Sequence, residues 1–206
     1  MDLLTRTPRL AGVILCGGHS SRMGRPKAWL PFGPVPLLTR VAARLQAVAA
    51  PVVVVAAAGQ DLPPLPPGVE IARDSAPDCG PLEGLRTGLL AVAGRAEAVF
   101  VCACDAPFVQ PAFARRLAER LGPNLACVPR AGGRLHPLAA VYRVGAAEAA
   151  GRLLADGKRA LLALLDAVPI QIVEGEELTD VDPTLASLRN LNTPADYAAA
   201  LAEIAG

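Results

Sequence analysis

The sequence predicts an α/β fold, a single doubly wound, mostly parallel sheet between two layers of helices. Three observations predict it. Strand-like and helix-like segments alternate along the 206 residues. The strand-like segments are short and almost wholly apolar, as strands covered on both faces are. A glycine- and cation-rich loop follows the first of them, where doubly wound sheets bind ligands. The length suffices for one sizeable core, and a single domain, residues 1–206, is expected.

The elements follow in order. "RLAGVILC" is the first strand. "PLLTRVAARLQAVA" places Leu37, Val41, Leu45 and Val48 on one helical face. "PVVVVAAA" is apolar on both sides, like a central parallel strand, and "DLPPLPPG" after it is a surface loop. "VEIARD" and "AVFVCACD" are strands separated by the helix "GPLEGLRTGLLAVAG". "PAFARRLAERLG" is a helix ending at a glycine, and its Arg115, Arg116, Glu119 and Arg120 form a wet face. "LACVPR" and "PLAAVY" are strands around a Gly-Gly loop. Helical stretches near 145–156 and 158–167 precede the strand "PIQIVE". The last helix opens at "NTPADYAAALAEIA", with Thr193 as N-cap, Pro194 first in the helix and Asp196 in its first turn.

Composition narrows the function classes. The formal charge is +1 and aromatics are 3%, which argues against a nucleic-acid partner. No apolar stretch is long enough to span a bilayer, so no membrane role is expected. Five cysteines lack a C-x-x-C pair and zinc spacing, which suggests a reducing compartment and a cytoplasmic protein. Cys102 and Cys104 share one strand face and read as core rather than metal ligands.

The loop "LCGGHSSRMGRPKAWLPFG" lies at the carboxyl end of the first strand. Its glycines let backbone N–H groups approach an anion, and Arg22 and Lys27 add positive charge. This is equipment for a polyphosphate. It matches neither the P-loop, because Lys27 is separated from Gly24 by Arg25 and Pro26, nor the dinucleotide fingerprint G-x-G-x-x-G. Asp105 closes an apolar run at another strand's carboxyl end, too far from the helix near Pro111 to cap it, where a metal ion beside phosphates would sit.

The pattern G-G-x-S-x-R-M-G-x-x-K resembles the nucleotidyltransferases of the molybdenum cofactor branch, above all the molybdenum cofactor guanylyltransferases. "RDSAPDCGPLEGLRTGL", "VCACDAPFV", "LHPLAAVY" and "LRNLNTPADY" resemble further motifs of that family, so the likeness covers nearly the whole chain. It implies a nucleotide-diphospho-sugar-transferase-like, Rossmann-like sandwich. It also implies transfer of GMP from GTP to the phosphate of molybdopterin, with release of pyrophosphate. Leu15, Cys16, Gly17, Gly18, Lys27, Asp74, Gly80 and Asp105 would meet the nucleotide. Asp105 would hold Mg²⁺, and Arg22, Lys27 and Asp105 would be catalytic. Asn190 and Asn192 would touch the pterin, or alternatively form the turn before the last helix. His136 is either a substrate contact or a loop histidine. The family often has an asparagine after the second strand, where "PVVVVAAAG" offers only valine and alanine, so cytidylyl transfer or another small phosphorylated acceptor stays as the alternative. The resemblance leaves room for transient contact with proteins that supply or accept the cofactor.

A phosphate monoester is largely dianionic at neutral pH, since its second pKa is about 6. Such a nucleophile needs no general base. That suits a chain with two histidines, and it leaves catalysis to positioning and charge neutralisation. Lys27 is expected to be a solvated phosphate ligand whose removal leaves the stability of the ligand-free protein nearly unchanged.

Overall fold

The computed structural model describes residues 8–17, 26–74 and 80–205. Its strands are β1 Leu10–Leu15, β2 Pro31–Phe32, β3 Val35–Pro36, β4 Val52–Ala56, β5 Val69–Arg73, β6 Ala98–Ala103, β7 Ala126–Ala131, β8 Arg134–Leu135, β9 Ala139–Arg143 and β10 Ile170–Glu174. Its α-helices are α1 Leu37–Gln46, α2 Gly80–Ala91, α3 Pro111–Arg120, α4 Ala146–Ala155, α5 Leu161–Leu165 and α6 Pro194–Ala205.

The main sheet runs β10-β7-β9-β6-β1-β4-β5, with β8 added to β7. β1 pairs in parallel with both β4 and β6, β4 with β5, and β7 with β10. β9 runs antiparallel to β6 and to β7. The chain therefore moves outward from β1 through β4 to β5, then crosses back to the other side of β1 to lay down β6. The gap between the carboxyl ends of β1 and β6 is the topological switch point, the place where doubly wound sheets bind ligands.

Both faces of the sheet are covered, which is why β4 is buried at every position. Leu38, Val41 and Leu45 of α1 and Phe113 and Leu117 of α3 pack against Ile14, Val54 and Phe100 on one face. Leu82, Leu85 and Leu89 of α2, with α4 and α5, pack against Val13, Val53, Val99 and Val101 on the other. Two glycines bring the helices close to β1. A Cβ on Gly12 would lie 2.6 Å from Leu45 Cδ2, and one on Gly88 would lie 2.6 Å from Val13 Cγ1.

Three expectations shift in detail. The second helical stretch shrinks to α5, because Arg159 turns its carbonyl toward the start of α2 and accepts from Leu82 N at 3.2 Å. The Pro-rich loop packs more closely than a surface loop. Leu62 and Leu65 lie on the core, while Thr39 Oγ1 and Gln46 Nε2 donate to the carbonyls of Pro64 and Pro67. The wet face of α3 is tied down, since Arg116 pairs with Asp180 and Arg120 with Glu177. The N-terminus of α6 follows the sequence reading. Thr193 Oγ1 accepts from Asp196 N at 3.1 Å, and Asp196 Oδ2 accepts from Thr193 N at 2.8 Å, so the two residues cap each other. No helix among the described residues is long and apolar enough to cross a membrane.

Candidate functional site

β1 and β6 release their chains side by side. Cys16 N donates to Val55 O at 2.8 Å and Cys104 N donates to Leu15 O at 3.0 Å, so the ladder ends in register at the switch point. Asp105 then sits at the carboxyl edge with only 5% exposure. A residue of that type is almost never buried without a partner. Its partner is Lys27, in the short 3-10 turn Lys27–Trp29, whose Nζ lies 2.5 Å from Asp105 Oδ2. Lys27 Nζ also donates to Asn192 Oδ1 at 3.2 Å. Asp105 Oδ1 is buried and has no hydrogen-bond partner among the described residues.

Asn192 is delivered to this point by a chain of backbone contacts. The buried carboxylate of Asp182 accepts from Ala186 N at 2.9 Å and Ser187 N at 2.8 Å. Ser187 Oγ accepts from Gln110 N at 2.9 Å, and Leu191 N donates to Asp105 O at 3.0 Å. Asp196 Oδ2 accepts from Asn192 N at 3.1 Å, and its carboxyl is held below the ordinary range by the Thr193 hydroxyl and backbone, with Lys27 adding a smaller effect. Lys27 is thus not a solvated lysine. It is the centre of a part-buried cluster linking three distant segments.

On the other side of β1 the surroundings differ. Asp74 follows β5, and its Oδ2 would lie 3.7 Å from a Cβ on Gly17. Its Oδ1 is buried without a hydrogen-bond partner among the described residues. Burial pushes the Asp74 carboxyl above its ordinary pKa, the charge of Glu83 adds to this, and the Thr87 hydroxyl opposes it. Gln60 reaches back from the turn after β4, and its Nε2 donates to Cys16 O at 2.8 Å.

The remaining predicted residues divide as follows. Leu15, Cys16 and Gly17 form the end of β1 and its exit. Gly18 and Arg22 lie outside the described residues. Gly80 has φ +73° at the start of α2, and a Cβ there would lie 3.0 Å from Arg159 O, so backbone conformation and close packing both favour glycine. His136 directly follows β8, three residues before β9, with its backbone N bonded to Pro129 O and its Nε2 3.4 Å from Ala131 O. Asn190 is half-buried two residues before Asn192. Cys102 is buried and Cys104 packs against the same core cluster, and no metal-binding group of three or more His, Cys, Asp or Glu occurs among the described residues. Sequence reasoning missed Gln60 and Asp182. Neither stands in a motif, and their partners lie 44 residues away and 4–5 residues away respectively.

A family model of the MobA-like NTP transferase domain matches residues 12–170. The chain belongs to this family. Among its relatives, a protein of Mycobacterium tuberculosis (strain ATCC 25618 / H37Rv) described as a probable molybdenum cofactor guanylyltransferase is 40% identical over 188 residues, covering 88% of this chain and 92% of its own. Molybdopterin-guanine dinucleotide biosynthesis protein A from Archaeoglobus fulgidus superposes with a TM-score of 0.79 at 23% identity, covering 95% of this chain and 98% of its own. Another M. tuberculosis H37Rv protein, solved in complex with manganese, superposes with a TM-score of 0.64 at 22% identity, covering 94% and 98%. The MobA-like matched segment contains β1 from Gly12 onward, Lys27, Asp74 and Asp105, whereas Asn190 and Asn192 lie beyond its end.

Proposed function

We propose that this MobA-like transferase moves GMP from GTP to the terminal phosphate of molybdopterin in molybdenum cofactor synthesis, working as one domain over residues 1–206. The observation that carries the site is the Lys27–Asp105 pair, bridged to Asn192 at the switch point. It sets a cation and a carboxylate together at the carboxyl ends of β1 and β6, where two anionic reactants must meet. The acceptor phosphate oxygen forms a bond to the α-phosphorus of GTP. The bond from that phosphorus to the α,β-bridging oxygen breaks, and pyrophosphate leaves with the electron pair.

Each residue then has a role set by its surroundings. Lys27 supplies fixed positive charge beside the phosphates, and Asn192 and Asp105 hold its ammonium in place. Arg22 and the amides of Gly17 and Gly18 serve the same phosphates. Asp74, tucked under Gly17 on the far side of β1, accepts from the N–H groups of guanine, and Leu15 and Cys16 border the base. Gly80 shapes the neighbouring loop. His136, Asn190 and Asn192 face the pterin half. Asp105 fits a divalent cation, because its Oδ1 is a buried carboxylate oxygen with no partner among the described residues. When bound there, Mg²⁺ neutralises charge on the triphosphate. No general base is required, since the attacking phosphate is already mostly dianionic. The four described cysteines are unbridged, which supports the cytoplasm as the place of action.

The test is pyrophosphate release from each of GTP, CTP, ATP and UTP with molybdopterin and with sugar phosphates, in Mg²⁺ and in Mn²⁺. Turnover with GTP and molybdopterin is expected. Preferred use of CTP would make the protein a cytidylyltransferase, and turnover only with a sugar phosphate would move it to another branch.

A further inference from the structure

Gln60 stands in the turn that follows β4, and both ends of its carboxamide are engaged. Its Oε1 accepts from Ala57 N at 3.1 Å, which closes the turn after β4. Its Nε2 donates to Cys16 O at 2.8 Å and lies 3.7 Å from Cys16 Sγ. Cys16 N still belongs to the sheet, through Val55 O, and the side chain of Cys16 is buried with 4% exposure of the residue. Its carbonyl is therefore the first acceptor past the end of β1. A buried carbonyl without a partner is costly, and here a side chain rather than a strand supplies the donor.

The turn is itself held from a third strand. Arg73, the last residue of β5, donates from Nη1 to Ala57 O at 3.0 Å and to Gln60 O at 2.8 Å. The next residue is Asp74, whose carboxylate lies under Gly17. The ends of β5, β4 and β1 are thus joined by one relay, Arg73 to the 57–60 turn to Gln60 to Cys16. The relay lies on the β4 side of β1, while Lys27, Asp105 and Asn192 lie on the β6 side. The site has a charged half that suits phosphates and an amide-and-carboxylate half that suits a base.

From this geometry we infer that Gln60 is a positioning residue for guanine recognition. It fixes the Cys16–Gly17 backbone against Asp74 and so sets the base half of the site, without serving the phosphates. The inference rests on the GTP reading above. Without Gln60 the chain leaving β1 samples other directions, and affinity falls in proportion to the fraction still arranged for binding. If that fraction drops to about a tenth, the Kd for GTP rises about tenfold. A ligand that uses only the phosphate half does not report the change.

The experiment is calorimetric titration of the wild type, Gln60→Met and Gln60→Glu with GTP and, separately, with inorganic tripolyphosphate, alongside kcat and KM. Met keeps the length without the amide. Glu keeps an acceptor for Ala57 N but loses the donor to Cys16 O. Both variants should bind GTP about tenfold more weakly, bind tripolyphosphate as the wild type does, and show the loss in KM for GTP rather than in kcat. Arg73→Ala should add little to Gln60→Met, because it acts through the same turn. Failure of the wild type to bind GTP strikes the GTP reading itself. With wild-type binding intact, unchanged GTP affinity in both variants overturns the inference. Equal losses for GTP and tripolyphosphate also overturn it, since Gln60 would then be shaping the phosphate loop.

Discussion

Asp105→Asn separates the two things that Asp105 does. Its Oδ2 holds Lys27 at 2.5 Å, with the two side chains 7% and 19% exposed respectively. At that distance and an effective dielectric of about 20, the gross attraction is about 6–7 kcal/mol. Desolvation of the two ions offsets much of it, and removing one partner of a fully buried pair costs about 3–5 kcal/mol. Here Asn keeps an oxygen to accept from Lys27, and Lys27 keeps Asn192 and some contact with water. The expected loss of stability is therefore about 1–3 kcal/mol, a fall in Tm on the order of 2–10 °C for a chain of this size. GTP should still bind, modestly weaker, through the loop and Lys27. Turnover should fall much further, by about 100- to 1,000-fold, because charge neutralisation counts most as the pyrophosphate leaves. The assays are thermal melts, titration with GTP, and pyrophosphate release across a Mg²⁺ series. Wild-type turnover by Asp105→Asn at low Mg²⁺ would refute the metal assignment and leave Asp105 as an anchor for Lys27 alone.

Three further outcomes are expected. Lys27→Ala should lower the Tm of the ligand-free protein measurably, beyond the roughly 0.5 kcal/mol typical of a surface substitution, because it leaves the Asp105 carboxylate without its cation; an unchanged melt would mean that the pair contributes nothing to the fold. Asp74→Asn should raise the Tm of the ligand-free protein while weakening GTP binding. The folded-state pKa of Asp74 is raised by burial and then by Glu83, so its ionisation opposes folding. That penalty is absent below about pH 4, where the acid is protonated in both states. It is complete above the folded pKa, so the gain in the melt should be present at pH 7 and fade on acidification. A gain of equal size at all pH values would show that charge is not its cause. Gly88→Ala should lower the Tm by about 2–4 °C. The added methyl would lie 2.6 Å from Val13 Cγ1, and overpacking at about 1–3 kcal/mol outweighs the helix-propensity gain of about 1 kcal/mol; an unchanged or higher Tm would show that α2 can move off β1 at little cost.

Local chemistry made much of the chain legible in advance. Thr193, Pro194 and Asp196 announce the start of α6 because a cap is made among residues three apart. The four valines of β4 announce a strand buried on both faces because burial is written in side-chain type at each position. The direction of β9 was not legible. "PLAAVY" has the same apolar pattern whether it runs with its neighbours or against them, and its antiparallel course follows from the Gly132–Gly133 turn, which sends the chain back along β7, and from the slot between β7 and β6 that it fills. The true length of α5 was hidden too, because Arg159 gives its carbonyl to α2 rather than to its own helix.

The sequence by itself determined the alternation of strands and helices, the two-sided burial, the glycine–cation loop and the identity of Lys27, Asp74, Asp105 and Asn192 as residues of interest. Asp74 and Asn192 stood out through the resemblance to a known family's motifs; the others are properties of side chains and of spacings within a few residues. Only the tertiary structure decided that Lys27 rests on Asp105, 78 residues away, and on Asn192, 165 residues away. It alone decided that Gln60 closes on Cys16 across 44 residues, and that this contact lies on the opposite side of β1 from Lys27 and Asp105. The physical reason is that a buried charge or carbonyl must find a partner, but the sequence states only the need. Which distant group meets it depends on the order of strands around β1, and that order is set by packing over the whole sheet.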